Sequence, residues 1–152
     1  DLTRQSLWVM LVYLFGRWRH SMPSRPLRRL LSIVYKMLKL LSQKMTGIDL
    51  PCEAKVRKRF TIEHFGDIII SGDVKFGDDC RVRNGVTIRL APTTERGSLV
   101  IRDRVDIGFG AKILGAIAIG DDVAIGANAV VTKDVPAKSI AVGVPAVIKL
   151  QR

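Results

Sequence analysis

Aliphatic residues recur at every sixth position through most of the chain after residue 48, and a small or aliphatic residue follows each of them four positions later. A period of six fits neither an α-helix nor a plain alternating strand. It predicts a short strand and a turn per hexad, with both apolar positions pointing into a narrow core and successive coils stacked at strand spacing. In the most regular stretch the sixfold positions are Ile101, Ile107, Ile113, Ile119, Ile125 and Val131, with followers Val105, Ala111, Ile117, Val123, Ala129 and Val135.

The same pairing begins at Leu50, with two irregularities. The register jumps two places between Ile68 and Ile70, and thirteen positions separate Ile88 from Ile101. The second gap predicts a protruding loop at about 89–100. Departures from a local rule tend to mark functional sites, so both irregularities indicate candidate positions.

Glycines stand between the apolar pairs, where we expect them to take positive φ at tight turns. The six glycines that follow this pattern are Gly72, Gly77, Gly85, Gly108, Gly120 and Gly126.

The first 48 residues follow a helical pattern instead. The apolar run 7–15 is shorter than the roughly 20 residues that a membrane span needs. From Leu27 an apolar stripe with a 3.6-residue period predicts an amphipathic basic helix, and Pro23 and Pro26 are expected to separate it from the helix before it. We expect this stripe to pack on the neighbouring helix or subunit, although contact with a membrane surface is also compatible with it. The stripe comprises Leu27, Leu30, Leu31, Val34, Leu38 and Leu41.

The charge is concentrated in the same segment. The chain carries a net charge of +11, of which residues 1–48 contribute nine basic residues against Asp1, a balance of +8. Few aromatic residues stand where they could stack on bases, so a membrane or an acidic partner is favoured over nucleic acid. Two cysteines in a chain with enough apolar residues for a core do not indicate a disulfide framework, which is typical of a reducing cytoplasm. The sequence begins at Asp1, so a targeting signal upstream of it would not be seen.

His64 is the leading catalytic candidate. It lies outside the two inward positions of its hexad, so its imidazole is expected to face solvent or a ligand. A lone histidine is more often incidental than functional. Asp49, fifteen residues earlier, changes that balance, because adjacent coils would bring its carboxylate within reach of the ring.

Four segments together resemble the hexapeptide-repeat acyltransferases, and among them the serine acetyltransferase group with its relatives that acetylate sugars in exopolysaccharide or colanic acid synthesis. The segments are Thr46-Gly47-Ile48-Asp49, Ile62-Glu63-His64, Gly110-Ala111-Lys112-Ile113-Leu114-Gly115 and Gly143-Val144-Pro145-Ala146. The resemblance implies a mainly β fold, a left-handed parallel β-helix preceded by a short α-helical segment. It also implies an acetyl-CoA-dependent O-acetyltransferase without a metal, acting as a homotrimer. The expected boundaries are 1–48 for the helical segment, 49–148 for the β-helix and 149–152 for a tail, with the protein in the cytoplasm or at the inner face of the membrane.

The resemblance also implies roles for single residues. His64 would be the catalytic base and Asp49 the residue that orients it. Glu63 and Arg96 would contact the acceptor. Because Gly97 replaces a histidine that serine acetyltransferases use beside that arginine, a sugar hydroxyl is preferred as acceptor, with L-serine as the alternative and a non-catalytic trimeric scaffold as a second one.

The donor site is implied in the same way. Phe109, Gly110, Ala111 and Ala127 match positions that line the pantetheine arm of coenzyme A. Thr132 and Lys133 match positions near its adenine and phosphates. Cys80 occupies a follower position and is expected to point into the core, not to act as a nucleophile. A zinc enzyme of the γ-carbonic anhydrase type is disfavoured, because its metal needs three histidines and the chain has His20 and His64 only.

Overall fold

The chain folds as two helices followed by a stack of short parallel strands. A computed structural model describes residues 2–64, 66–90 and 97–151, with the backbone alone for residues 2–5. The helices are α1 (Leu2–Arg19) and α2 (Arg25–Thr46). The left-handed parallel β-helix expected from the sequence is confirmed.

Short strands line the three faces of the coil. In chain order they are β1 (Ile48–Asp49), β2 (Thr61–Glu63), β3 (Ile68–Ile70), β4 (Val74–Phe76), β5 (Arg81–Arg83), β6 (Thr87–Arg89), β7 (Leu99–Ile101), β8 (Asp106–Ile107), β9 (Lys112–Leu114), β10 (Ala118–Ile119), β11 (Ala124–Ile125), β12 (Val130–Val131), β13 (Ser139–Val142) and β14 (Val147–Leu150). Sheet A contains β1, β3, β6, β9 and β12; sheet B contains β4, β7 and β10; sheet C contains β2, β5, β8, β11, β13 and β14. All pairs are parallel except β13 with β14, which is antiparallel.

The predicted sixfold positions form the core. From Ile62 to Val131 every one of them is buried, and so are the followers Val74, Cys80 and Val86 and those from Val105 to Val135. Val56 is the exception and is only half-buried. Because each sixfold position and its follower point inward, the interior is a continuous column of mostly aliphatic side chains.

The prediction for the glycines was wrong. Of the six, only Gly85 has positive φ. The others are needed for close approach between coils: a Cβ on Gly108 would stand 2.7 Å from the carbonyl oxygen of Ile125. At one corner the left-handed conformation belongs instead to a ladder of charged residues, namely Arg59, Asp79, Arg104, Asp122 and Lys138.

That ladder alternates in charge from coil to coil. Arg59 donates two hydrogen bonds to Asp79, and Arg104 donates two to Asp122. These bonds lower the pKa of both carboxyl groups. Side-chain pairing between coils therefore compensates for a backbone conformation that usually favours glycine.

The two helices are fastened to the first coil by tyrosines. Tyr13 donates its hydroxyl hydrogen to the carbonyl of Ala54 at 2.9 Å and accepts from the Val56 amide, and the Tyr35 hydroxyl accepts from the Cys52 amide at 3.0 Å. The helices therefore close the β1 end of the stack.

Two expectations for the helices need correction. Helix α2 begins at Arg25, so Pro26 lies in its first turn, where proline is tolerated, and only Pro23 lies in the connection. The predicted apolar stripe packs within the chain only in part: Leu31 and Leu38 are half-buried, whereas Leu27, Leu30, Val34 and Leu41 are exposed, and contact of the stripe with another subunit stays a prediction. The buried face of α2 carries Tyr35, Ser42 and Thr46. Among the described residues, no helix combines the length and apolar content that a membrane crossing requires.

Both irregularities of the repeat appear in the strand register. Glu63 pairs with Arg83 and Ile69 with Thr87, so the turn after Glu63 contains two more residues than the turn stacked on it. The second irregularity lies between β6 and β7. Residues 91–96 of the expected loop lie outside the described residues, and β7 begins at Leu99.

Two adjacent isoleucines of β3 test the inward and outward positions. Ile68 is fully buried and Ile69 is 49% exposed. We expect Ile68→Ala to lower the free energy of unfolding by about 2–5 kcal/mol, because it leaves a cavity in the column. The matched change Ile69→Ala should cost only about 0.5 kcal/mol. Chemical denaturation of both variants checks this, and equal losses would contradict the assigned register.

Candidate functional site

His64 lies at the turn that leads from sheet C to sheet A, directly after β2. It is exposed and has a φ of 67°, in the left-handed region that non-glycine residues rarely adopt. Such strain persists where the surrounding structure imposes it, and it is enriched at functional sites. Continuing the register of sheet C places Asn84, Phe109 and Ala127 above His64 at the same corner.

Phe109 forms the wall beside the imidazole. The two ring centroids are 5.4 Å apart, and the planes are tilted by 40°. Phe109 remains 43% exposed, and the guanidinium carbon of Arg83 lies 5.6 Å from the centre of its ring. The imidazole therefore has an aromatic ring on one side and remains exposed to solvent.

A charged network surrounds Glu63, the residue before His64. Glu63 forms ion pairs with Arg81 at 3.1 Å and with Arg83 at 3.3 Å. Arg83 is also hydrogen-bonded to Asp106, and this bond is the main reason that the pKa of Arg83 is raised. The carboxylate proposed to contact the acceptor is therefore already held by two arginines.

Sequence reasoning missed Arg83 and Asp106. The signal was present: Arg83 is the outward residue one coil above Glu63, twenty positions later. Arg83 could have been found by asking which residue the hexad pattern places one coil above each candidate residue.

Asp49 lies on β1 and is engaged elsewhere. Its Oδ1 is 3.0 Å from the Nζ of Lys39 on α2, an ion pair by distance that is not aligned as a hydrogen bond. Among the described contacts, no hydrogen bond or ion pair joins Asp49 to His64. The start of β1 does approach the same turn, since a Cβ on Gly47 would stand 3.0 Å from the Cα of Gly66. The pairing of Asp49 with His64 stays a prediction.

Four expected donor-site residues lie on or beside the corner of His64. Phe109 and Ala127 are exposed there. Gly110 has a φ of 67°, and a side chain on it would collide with Asn128. Ala111 is fully buried, its backbone amide donates to Gly108 and its carbonyl accepts from Thr87, so its place in the donor site stays a prediction.

The other expected residues belong to the opposite edge of sheet A. Thr132 and Lys133 are exposed at the turn from sheet A to sheet B, after β12. The loop expected to carry Arg96 leaves sheet A at the same corner, two coils lower, and Arg96 itself lies outside the described residues. One chain thus presents the predicted site as two groups, with the width of sheet A between them.

No family model matches the chain. A serine acetyltransferase of Helicobacter pylori is 38% identical over 120 residues, which cover 78% of the chain and 70% of that protein. The crystal structure of Neisseria gonorrhoeae serine acetyltransferase in complex with serine superposes with a TM-score of 0.70 and 28% identity, over 78% of the chain and 48% of that structure. A serine acetyltransferase from Brucella abortus in complex with coenzyme A gives a TM-score of 0.83 at 23% identity, over 97% and 56%. The chain thus spans about half the length of the solved structures it matches.

These relatives contradict the preference for a sugar acceptor. That preference rested on Gly97, a single position in a loop. The relatives that match most of the chain are serine acetyltransferases. The Neisseria protein was crystallised in complex with serine itself. The preference was wrong, and the alternative, L-serine, is favoured.

Cys80 provides a test of the site's chemistry. It is fully buried, its Sγ lies 3.0 Å from the carbonyl of Arg102, and burial raises the pKa of its thiol. Because a raised pKa leaves less thiolate at any given pH, we expect Cys80 to react with iodoacetamide at pH 8 about tenfold or more slowly in the folded chain than in denaturant. Mass spectrometry of the labelled peptide measures the rate, and equal rates would restore Cys80 as a candidate nucleophile.

Proposed function

The chain belongs to the serine acetyltransferase family, and from that membership we propose that it transfers an acetyl group from acetyl-CoA to the hydroxyl of L-serine. Acetyl-CoA supplies the activated acyl group as a thioester. The observation that carries the proposal is His64, an exposed histidine held in a left-handed conformation against Phe109.

His64 acts as the general base. One ring nitrogen removes the proton of the serine hydroxyl as its oxygen attacks the acetyl carbonyl. The oxygen–carbon bond forms, the carbon–sulfur bond breaks, and the imidazolium returns its proton to the leaving thiolate. The chain forms no covalent intermediate, which agrees with the buried position of Cys80.

Asp49 and Glu63 support this step. Asp49 orients the imidazole and stabilises the imidazolium, using Oδ2 while Lys39 holds Oδ1. Glu63 contacts the amino group of serine, and its two arginine partners fix the direction in which its carboxylate points. Arg96, from the loop after β6, pairs with the serine carboxylate.

The donor lies along the corner above His64. Phe109 and Ala127 are exposed on that ladder, and Gly110, which has no side chain, allows the backbone to approach a narrow chain. Thr132 and Lys133 contact the adenine and phosphate end. The Brucella abortus structure, which shares the fold, contains coenzyme A.

The active site is completed by a second copy of the chain in a homotrimer. His64 and the end of β6, after which the segment with Arg96 follows in the chain, lie at opposite edges of sheet A, so neighbouring copies can bring one edge of each together. The exposed apolar face of α1 and α2 supports self-association, because residues such as Trp18, Leu30 and Met37 are uncovered in a single chain. We assign this face to contact between copies in preference to contact with a membrane.

Replacement of His64 tests the reaction. We expect His64→Ala to lower kcat with L-serine by about 100- to 10,000-fold, because the serine proton is left without an acceptor. Thiol release from acetyl-CoA measures the rate. The control is Lys138→Ala. Lys138 is also an exposed corner residue in the left-handed conformation, but it lies between sheets B and C, so its replacement by alanine should leave kcat unchanged.

The same assay separates the alternatives. Turnover with L-serine that equals the His64→Ala background would support the non-catalytic scaffold instead. Turnover with a glycan hydroxyl but not with L-serine would overturn the acceptor.

Mixing two inactive variants tests the shared site. We expect His64→Ala and Arg96→Ala chains to be weakly active alone, and to recover activity after they are unfolded and refolded together, because a mixed trimer contains a cleft with both native residues. Light scattering should give the mass of three chains. A monomeric mass, flotation of monomers with anionic vesicles, or no recovery in verified mixed trimers would contradict this arrangement.

A further inference from the structure

Three metal-ligating side chains meet where the end of α1 lies against the first coil. His20 follows α1, and Cys52 and Glu53 follow β1. A ring nitrogen of His20, the Sγ of Cys52 and a carboxylate oxygen of Glu53 all lie within 4.8 Å of one another. Cys52 Sγ and His20 Nε2 are 3.9 Å apart. Sulfur and nitrogen ligands of one tetrahedral zinc ion stand about 3.6 Å apart, so the side chains need only small adjustments to share an ion.

We propose that His20, Cys52 and Glu53 bind one Zn²⁺ ion per chain, with water as the fourth ligand. Thiolate, imidazole and carboxylate are the donors that zinc prefers. As the sulfur–metal bond forms, the Cys52 thiol releases its proton to solvent. His20 and Glu53 are exposed while Cys52 is buried behind them, so the ion enters from the outer side.

Arg19 already places positive charge beside two of these donors. Its Nη2 lies 3.3 Å from His20 Nε2 and 3.8 Å from Cys52 Sγ. Other atoms hold the guanidinium in place: Nε donates to the carbonyl of Gly16 at 3.3 Å, and Cζ lies 4.5 Å from the ring centre of Tyr35. Because Nη2 stands against the same two donor atoms, metal binding requires the Arg19 guanidinium to turn away from them.

The zinc site is separate from the catalytic corner. Cys52 lies at the turn from sheet A to sheet B of the first coil, whereas His64 lies at the turn from sheet C to sheet A. Acetyl transfer needs no metal, and the site does not depend on the proposed function. Its effect is structural, because it joins the end of α1 to the first coil across 32 residues of sequence.

Metal binding by the full chain tests the proposal. We expect the metal-depleted protein to take up one Zn²⁺ per chain in competition with a chromophoric chelator. Co²⁺ should give the absorption bands of a tetrahedral site and the charge-transfer band of a thiolate ligand. Thermal unfolding should shift upward with Zn²⁺, because the ion binds the folded state.

The two buried cysteines provide a matched comparison. Loss of an outer-shell partner alone lowers metal affinity by about 10- to 100-fold, so Cys52→Ser, which removes a ligand, should lower it by at least about tenfold. Cys80→Ser should leave it unchanged, since Cys80 lies in the core away from the site.

Two exposed positions keep the test decisive if Cys52→Ser does not fold. His20→Ala and Glu53→Gln change solvent-facing side chains, and each should weaken Zn²⁺ binding while circular dichroism stays native. Zinc affinity in both variants equal to that of the unmodified chain, no stoichiometric binding by the unmodified chain, or an equal loss in Cys80→Ser would overturn the proposal.

Discussion

Parallel hydrogen bonding between successive coils is the constraint on which the rest of the structure depends. Each strand finds its partners one coil below and one coil above, so the backbone is satisfied only while every coil keeps the same path. That path fixes which residues point inward. It also fixes the neighbour of each outward side chain, and outward residues therefore form ladders. The ion pair between Glu63 and Arg83 and the contact between His64 and Phe109 are both ladder contacts.

The hexad pattern was enough to predict the core, because burial of two small or apolar side chains in most hexads leaves few other arrangements. It also located the extra residues after Glu63, which the strand register confirms. The conformation of the turns could not be read from the same pattern. A glycine in the sequence can indicate either a positive φ or a close approach of the backbones of two coils. At Gly108 only the short distance to the next coil in the structure shows that the second reason applies. The charged left-handed corner at Asp79 and Arg104 depends on pairing between coils, which composition does not reveal.

The candidate site was predictable in its residue types and less so in its contacts. Exposure of His64 follows from its place in the hexad. The ion pair of Asp49 with Lys39 does not, because it depends on how α2 is laid against β1. The stripe on α2 did not reveal its buried face either, since that face carries Tyr35, whose hydroxyl accepts a hydrogen bond from the first coil. The acceptor preference failed for another reason: one glycine in a loop outweighed the similarity of the remaining chain.

The two ends of the stack differ from everything between them. At the lower end, the helices cover the first coil through Tyr13 and Tyr35. At the upper end, β14 turns back and pairs antiparallel with β13. Within the described residues, helices cover one end of the stack and an antiparallel strand lies at the other, and the number of coils between these two elements can vary. Adding or removing one coil would change the height of the molecule by about 4.8 Å without altering either end. A solenoid of this kind can adjust its length in fixed steps, whereas a globular core has to be redesigned as a whole.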